Sequence, residues 1–122
     1  MRCIFCKIVA GEAESDILYQ DESITAFRDM RPQAPTHILI VPNEHITSMQ
    51  KLYEPGDSLL IRMFSTAHNL AETQGIADRG YRLVINTGPH AGQIIDHLHV
   101  HLLGGKAMRL EGMALRFKDS ME

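Results

Sequence analysis

The chain has 122 residues, 44% of them hydrophobic, with 12 basic residues against 15 acidic ones and a net charge of −3. This length and composition predict a single domain, residues 1–122, with an apolar core. The charge excludes a basic stripe for nucleic acid and a polybasic membrane patch, and no apolar run reaches the roughly 18 residues of a spanning helix. The N-terminus becomes polar too quickly for a signal peptide. We therefore expect a cytoplasmic protein with no nucleic-acid or membrane partner.

The elements follow one another as a hairpin, a strand, a helix and two strands. The runs ILYQ and SITAFRD, separated by an acidic turn, predict the β-hairpin, and HILIVP predicts a buried strand that stops at Pro42. Apolar residues at three- and four-residue spacing predict an amphipathic helix over residues 57–74, ended by Gly75. YRLVINTG and QIIDHLHVHLL predict the last two strands. The expected fold class is α+β, with a mainly antiparallel sheet and one long helix.

Residues 97–103, HLHVHLL, place three histidines at every second position. On a strand, this period sends the aliphatic residues to one face and His97, His99 and His101 to the other. The Cα atoms of His97 and His101 would be about 13 Å apart, too far to share one metal ion at bonds of about 2 Å. Two of the three could still bind a metal, but we expect the three imidazoles to have different tasks.

The motif HLHVHLL resembles the signature of the histidine triad (HIT) superfamily of nucleotide hydrolases and transferases. The segments CIFCKIVAGE, AFRDMRPQAPTHILIVPNEHI and GYRLVINTG are similar to that superfamily in the same order. The resemblance covers residues 3 to about 108 and leaves a C-terminal tail of about 109–122 outside it. The sequence LGG after the triad favours the histidine triad nucleotide-binding branch, whose members are purine nucleoside phosphoramidases.

The resemblance implies a HIT-like fold, a homodimer with joined sheets, and hydrolysis of the P–N bond of purine nucleoside 5′-phosphoramidates. His99 would be the nucleophile that forms a nucleotidyl-histidine, which water resolves. His97 and His101 would bond phosphate oxygens or fix the tautomer of His99, and His37 matches a fourth active-site histidine. The substrate partner would be an AMP or GMP derivative, and no cofactor would be required for catalysis.

The resemblance also implies a set of nucleotide contacts. Asp29 would accept the ribose hydroxyls, Met30 would pack on the base, Gly92 would admit the phosphate closely, and amide donors would hold it together with two of the triad histidines. These amides and histidines are Asn86, Gln93, His99 and His101. Ile94 departs from the family pattern, because many members have a polar residue such as Ser there, and this puts the leaving-group preference in question.

Cys3-x-x-Cys6 supplies half of a tetrahedral zinc site. The resemblance implies that His45 and His97 complete it. Such a zinc ion would be structural and would fix the triad strand, and His97 would then not be free for acid–base chemistry. The redox alternative lacks a thioredoxin-like βαβ pattern.

Two other functions stay open at the level of the sequence. One is hydrolysis of dinucleoside polyphosphates, although the Pro-Arg pair usual in that branch is absent near the triad. The other is a nucleotide-binding regulator or scaffold with little turnover, which Ile94 keeps in consideration.

Overall fold

The computed structural model describes residues 3–52 and 58–109, which form one five-stranded sheet with two α-helices and short 3₁₀ turns. The helices are α1 (Ile4–Val9) and α2 (Ser58–Thr73), and the strands are β1 (Ile17–Gln20), β2 (Ile24–Arg28), β3 (Thr36–Pro42), β4 (Tyr81–Val84) and β5 (Val100–Gly104). The strand order is β1-β2-β3-β5-β4, with every neighbouring pair antiparallel. The predicted α+β class with an antiparallel sheet and one long helix is confirmed.

Within residues 3–52 and 58–109, no helix is both long enough and apolar enough to cross a membrane. The predicted helix start at Asp57 and nearly all of the predicted tail lie outside the described residues. The short helix α1 was not predicted.

β3 is buried along its whole length because both faces of the sheet are covered. On one face, Ile38 and Ile40 pack with the apolar side of α2. On the other face, Leu39 packs with Phe5 and Ile8 of α1. This double covering explains why the strand reads as a nearly continuous apolar run.

The end of α2 matches the prediction. Gly75 adopts a left-handed conformation with φ of 76°, and the next amide, from Ile76, donates to the Ala71 carbonyl at 3.0 Å. Ile76 then packs on β5. A Cβ added to Gly104 of this strand would lie 2.7 Å from the Cδ1 atom of Ile76. The first glycine of LGG is therefore a packing requirement.

The last two strands are shorter than predicted. β4 covers only YRLV, and β5 begins at Val100, so two of the triad histidines precede it. Val100 pairs with Ile40, and continuing this register would set Leu98 opposite Pro42. Proline has no N–H to extend the ladder, and the Leu98 amide instead donates to the Ile46 carbonyl at 2.7 Å.

Candidate functional site

The triad keeps its alternation beyond the end of the strand. Leu98, Val100 and Leu102 lie in the core beneath α2. The imidazoles of His97 and His99 contact the Phe5 ring of α1, on the other face of the sheet. They are buried, with 0% and 8% exposure, so the histidine face is covered by α1 and is not a plain solvated surface.

His97 belongs to a cluster with Cys3, Cys6 and His45 whose ligand atoms all lie within 4.8 Å of one another. The two Sγ atoms are 3.4 Å apart, and the four distances from Sγ to Nδ1 are 3.2, 3.3, 3.6 and 3.6 Å. Tetrahedral zinc with ordinary bond lengths would place sulfur atoms about 3.8 Å apart and sulfur about 3.5 Å from nitrogen. The donor set and its spacing therefore fit zinc.

The opposite side of the His97 ring supports the same arrangement. Its Nε2–H donates to the buried Pro42 carbonyl at 2.8 Å, which leaves the Nδ1 lone pair directed at the thiols. Burial lowers the pKa of His97, with the Pro42 carbonyl opposing this shift, and the ring is therefore neutral at pH 7. A carbonyl that orients a histidine from behind is usual for metal ligands. The Pro42 carbonyl and the thiols thus occupy both ring nitrogens of His97. This geometry disfavours the catalytic role predicted for the His97 ring, which stays a prediction.

His99 is held in one tautomer by the main chain. Its Nδ1–H donates to the His97 carbonyl at 2.7 Å, so in the neutral ring the Nε2 atom carries the lone pair. The rings of Phe5 and His101 contact the His99 ring, with centroid distances of 5.2 and 5.0 Å. The tautomer is fixed by the backbone of residue 97 and not by a neighbouring imidazole.

His101 lies in a second cluster with His37 and Asp29. The Gln33 amide donates to His37 Nδ1 at 3.0 Å, which assigns the proton of neutral His37 to Nε2. That Nε2 lies 3.0 Å from His101 Nδ1 and 3.3 Å from Asp29 Oδ2. With His37 as the donor, His101 Nδ1 accepts, and the remaining N–H of His101 is at Nε2.

This second cluster does not suit a metal ion, although two imidazoles and a carboxylate are common ligands. Because Gln33 donates to His37 Nδ1, a metal at Nε2 would require His37 to lose both ring protons. Burial lowers the pKa of His37, opposed by Asp29. Burial, followed by the charges of His99 and His37, lowers the pKa of His101 to about 4. Both rings are therefore neutral hydrogen-bonding groups at pH 7.

Asp29 and Met30 follow β2 directly. The Asp29 carboxylate accepts the Arg31 amide at 2.8 Å and keeps a side-chain exposure of 22%, so part of it faces solvent. Met30 is 82% exposed. The structure thus leaves surface on both for the ribose and base contacts that the sequence predicts.

The loop before the triad is braced by its own amides. Gln93 accepts the Gly88 amide at 2.8 Å and donates to the Thr47 and Ile95 carbonyls at 2.7 and 3.0 Å. Both of its N–H donors are therefore used within the protein. The amide of Gln93 thus shapes the loop, and its predicted contact with phosphate stays a prediction.

Other residues of the loop remain near open space. Asn86 donates to the Ala91 carbonyl at 2.8 Å. Gly92 has φ of 84°, and a Cβ there would meet nothing within 4 Å. Ile94 is 91% exposed. Gly92 is therefore required for its backbone conformation, and the space beside it is available to a ligand.

Sequence reasoning missed four groups that define this site. They are the Phe5 ring, the Gln33 amide and the Pro42 and His97 carbonyls. Phe5 had a visible signal, because it stands between two candidate metal ligands in CIFC. The three backbone groups carry no side-chain signal and follow only from the fold.

Comparison with known proteins gives a consistent picture. A family model described as HIT domain matches residues 10–108. The purine nucleoside phosphoramidase of Escherichia coli (strain K12) is 50% identical over 105 residues, covering 86% of this chain and 88% of that protein. The 14 kDa zinc-binding protein of Zea mays is 46% identical over 107 residues, covering 86% and 83%.

Solved structures agree. A HIT family hydrolase from Legionella pneumophila Philadelphia 1 has a TM-score of 0.87 at 42% identity, covering 91% of this chain and 99% of that one. A Zn-bound histidine triad family protein from Mycobacterium smegmatis has a TM-score of 0.75 at 26% identity, covering 100% and 99%.

Proposed function

Because this chain belongs to the HIT family, we propose that it hydrolyses the P–N bond of purine nucleoside 5′-phosphoramidates, with His99 as the nucleophile. The observation that carries the proposal is the hydrogen bond from His99 Nδ1–H to the His97 carbonyl at 2.7 Å. This bond places the ring proton on Nδ1, so the lone pair of the uncharged imidazole is on Nε2, the atom that would attack phosphorus. The similarity to a named purine nucleoside phosphoramidase supports the substrate class.

In the first step, His99 Nε2 attacks the α-phosphorus, a P–N bond to the imidazole forms, and the bond to the leaving nitrogen breaks. The leaving nitrogen takes a proton from the solvent and departs as the amine. The imidazole becomes positively charged as it is phosphorylated, and the His97 carbonyl stabilises this charge through the Nδ1–H. Water then attacks phosphorus and gives up a proton to the solvent, which releases the nucleoside monophosphate and restores unmodified His99.

His101 would support this step as a hydrogen-bond donor. Its Nδ1 accepts from His37, so Nε2–H is the donor available to a phosphate oxygen. Its pKa of about 4 keeps it neutral at pH 7 in the free protein. The preorganised N–H adds stabilisation where negative charge develops.

The nucleoside contacts complete the proposal. Asp29 would accept the ribose hydroxyls, and Met30 would cover the base. Asn86 and the Gly92 backbone would approach the phosphate. Gln93 would contribute mainly by holding their loop, since its amide donors already bond the Thr47 and Ile95 carbonyls.

Zinc, assembly and location are part of the proposal. Zinc held by the Cys3 cluster (Cys3, Cys6, His45 and His97) would be structural, because the Pro42 carbonyl and the two thiols enclose the His97 ring within the protein. In a homodimer with joined sheets, an edge strand, β1 or β4, would pair with its copy, and sedimentation of the purified chain tests for the dimer. The single-domain organisation and the cytoplasmic location stay predictions.

A comparison of kcat/KM values tests the activity. The substrates are adenosine phosphoramidates, dinucleoside polyphosphates and acyl adenylates, assayed with the wild-type chain and with Ile94→Ser. We expect the phosphoramidate to be preferred, and the serine variant to change the ranking of leaving groups and not the affinity for AMP. Preference for the dinucleotide, or AMP binding without turnover of any substrate, contradicts the proposal.

A further inference from the structure

We propose that Phe5 is a positioning residue that sets the orientation of the His99 imidazole, an inference that rests on the proposed role of His99 as nucleophile. Phe5 is 4% exposed and stands in α1 between Cys3 and Cys6. Its ring contacts two triad imidazoles edge to face. The centroids are 5.8 Å from His97 and 5.2 Å from His99, at interplanar angles of 75° and 79°.

The hydrogen bond to the His97 carbonyl fixes the Nδ1 atom of His99, but the ring can still rotate about that contact. Tilting the ring would move Nε2, the atom on the far side, away from the line of attack on phosphorus. Phe5 and His101 contact the ring from its sides, and their interplanar angles to it are 79° and 65°. Phe5 therefore restricts the motion that the hydrogen bond allows.

Phe5 is anchored through its helix and also packs on a neighbouring aromatic ring. Its ring packs edge to face on Phe27, at 5.4 Å and 65°. Its helix is attached to the sheet through Cys3 and Cys6, whose thiols face His45 and His97. The metal-ligand cluster thus maintains the nucleophile's orientation through an apolar ring, in addition to the chain connection from residue 97.

Phe27→Leu is a matched control for Phe5→Leu. Both residues are buried, at 2% and 4% exposure, in the same apolar cluster. Among the described residues, the ring contact recorded for Phe27 is with Phe5 and not with an imidazole. The two substitutions remove equivalent side chains and cost comparable stability, but only one removes the contact with His99.

The experiment uses the full, zinc-loaded chain and an adenosine phosphoramidate. We expect Phe5→Leu to lower kcat about 10- to 100-fold below Phe27→Leu, the range that a small misplacement of a reacting group causes. KM, AMP affinity and zinc content should match the control, and Phe5→Tyr should restore most of the rate. At fixed pH, NMR signals of the His99 ring should lose the ring-current shift in Phe5→Leu but keep it in Phe27→Leu.

Equal kcat values for the two leucine variants, or His99 signals that do not move, would overturn the proposal. Phe5→Met, which fills the volume without a ring, replaces Phe5→Leu if that variant does not fold. Rapid quenching separates this failure from that of the proposed function. An adduct on His99 with equal leucine variants contradicts only the positioning role, whereas an adduct elsewhere contradicts the nucleophile itself.

Discussion

At the scale of single residues, the site is organised by where protons are. Three backbone groups, the Pro42 and His97 carbonyls and the Gln33 amide, fix the ring protons of His97, His99 and His37. The alternation of the triad in the sequence predicted which rings share a face. It could not predict the tautomers, because each ring proton is fixed by a main-chain group, and the side-chain pattern carries no signal for where such a group lies.

His99→Ala should abolish turnover while leaving AMP affinity nearly unchanged, because it removes the atom that forms the covalent bond. His101→Ala should retain measurable activity, since losing a hydrogen-bonding or acid–base group typically costs on the order of 10²–10⁴-fold. Steady-state kcat measures both losses, with AMP affinity measured by calorimetry. Comparable residual activity in the two variants would exclude His99 as the nucleophile.

Asp29→Ala should weaken ribonucleotide binding by about 1–3 kcal/mol, the usual cost of leaving polar groups unpaired in a partly closed site. The variant should also lose most of its preference for AMP over 2′-deoxy-AMP. Asp96→Ala, at an exposed carboxylate, is the control that should keep this preference. If Asp29→Ala keeps the ratio of the two dissociation constants, its carboxylate does not contact the ribose.

At the scale of elements, α1 and the end of β3 determine what each triad histidine can do. The sequence indicated that HILIVP stops at Pro42, and that the first triad histidine could join Cys3 and Cys6. The residue pairing showed the consequence: the ladder fails opposite Leu98, and the chain turns His97 towards α1. That outcome depends on register and on contacts across some ninety residues, which local patterns do not encode.

The Cys3 cluster leads to a prediction about metal content. Protein purified without an affinity tag should contain close to one zinc per chain, and Cys3→Ser should lower both zinc content and thermal stability, because metal binding and folding are coupled. Elemental analysis and thermal denaturation measure the two quantities. Ser65→Ala, at an exposed serine of α2 on the opposite face of the sheet, is the control for zinc content. Metal-free wild-type protein of full stability would contradict the structural zinc.

At the scale of the whole molecule, the predicted HIT resemblance is confirmed by the family match over residues 10–108 and by relatives of high identity. The prediction of a hydrolase is confirmed at the level of the family, in which similar proteins are named purine nucleoside phosphoramidase and HIT family hydrolase. Apolar periodicity was sufficient for the helix and the sheet. It was insufficient for α1, whose six residues are too few to display a period.

Buried histidines make the stability of the whole fold depend on pH. The pKa of His101 is about 4 in the folded protein and about 6.5 when unfolded. Between these values the unfolded chain binds more protons, so the free energy of unfolding is greatest above pH 6.5 and falls as pH decreases. His101 alone should account for about 1.5 kcal/mol of loss between pH 6.5 and 5.

Urea denaturation across this range measures the effect. His101→Gln should show a shallower pH dependence than wild type. His68→Gln, which removes an exposed histidine of α2, should keep the wild-type dependence. Identical slopes for wild type and His101→Gln would mean that His101 does not carry this linkage.

Residue 97 takes part in two separate arrangements, one through its side chain and one through its main-chain carbonyl, which accepts the hydrogen bond from His99. The thiols of Cys3 and Cys6 face the His97 side chain, whereas His99, the proposed nucleophile, bonds the main-chain carbonyl of residue 97. A protein engineer could therefore replace Cys3, Cys6, His45 and His97 with well-packed apolar residues. If α1 kept its place, the proton on His99 would stay where it is, and the chemistry would be independent of metal supply.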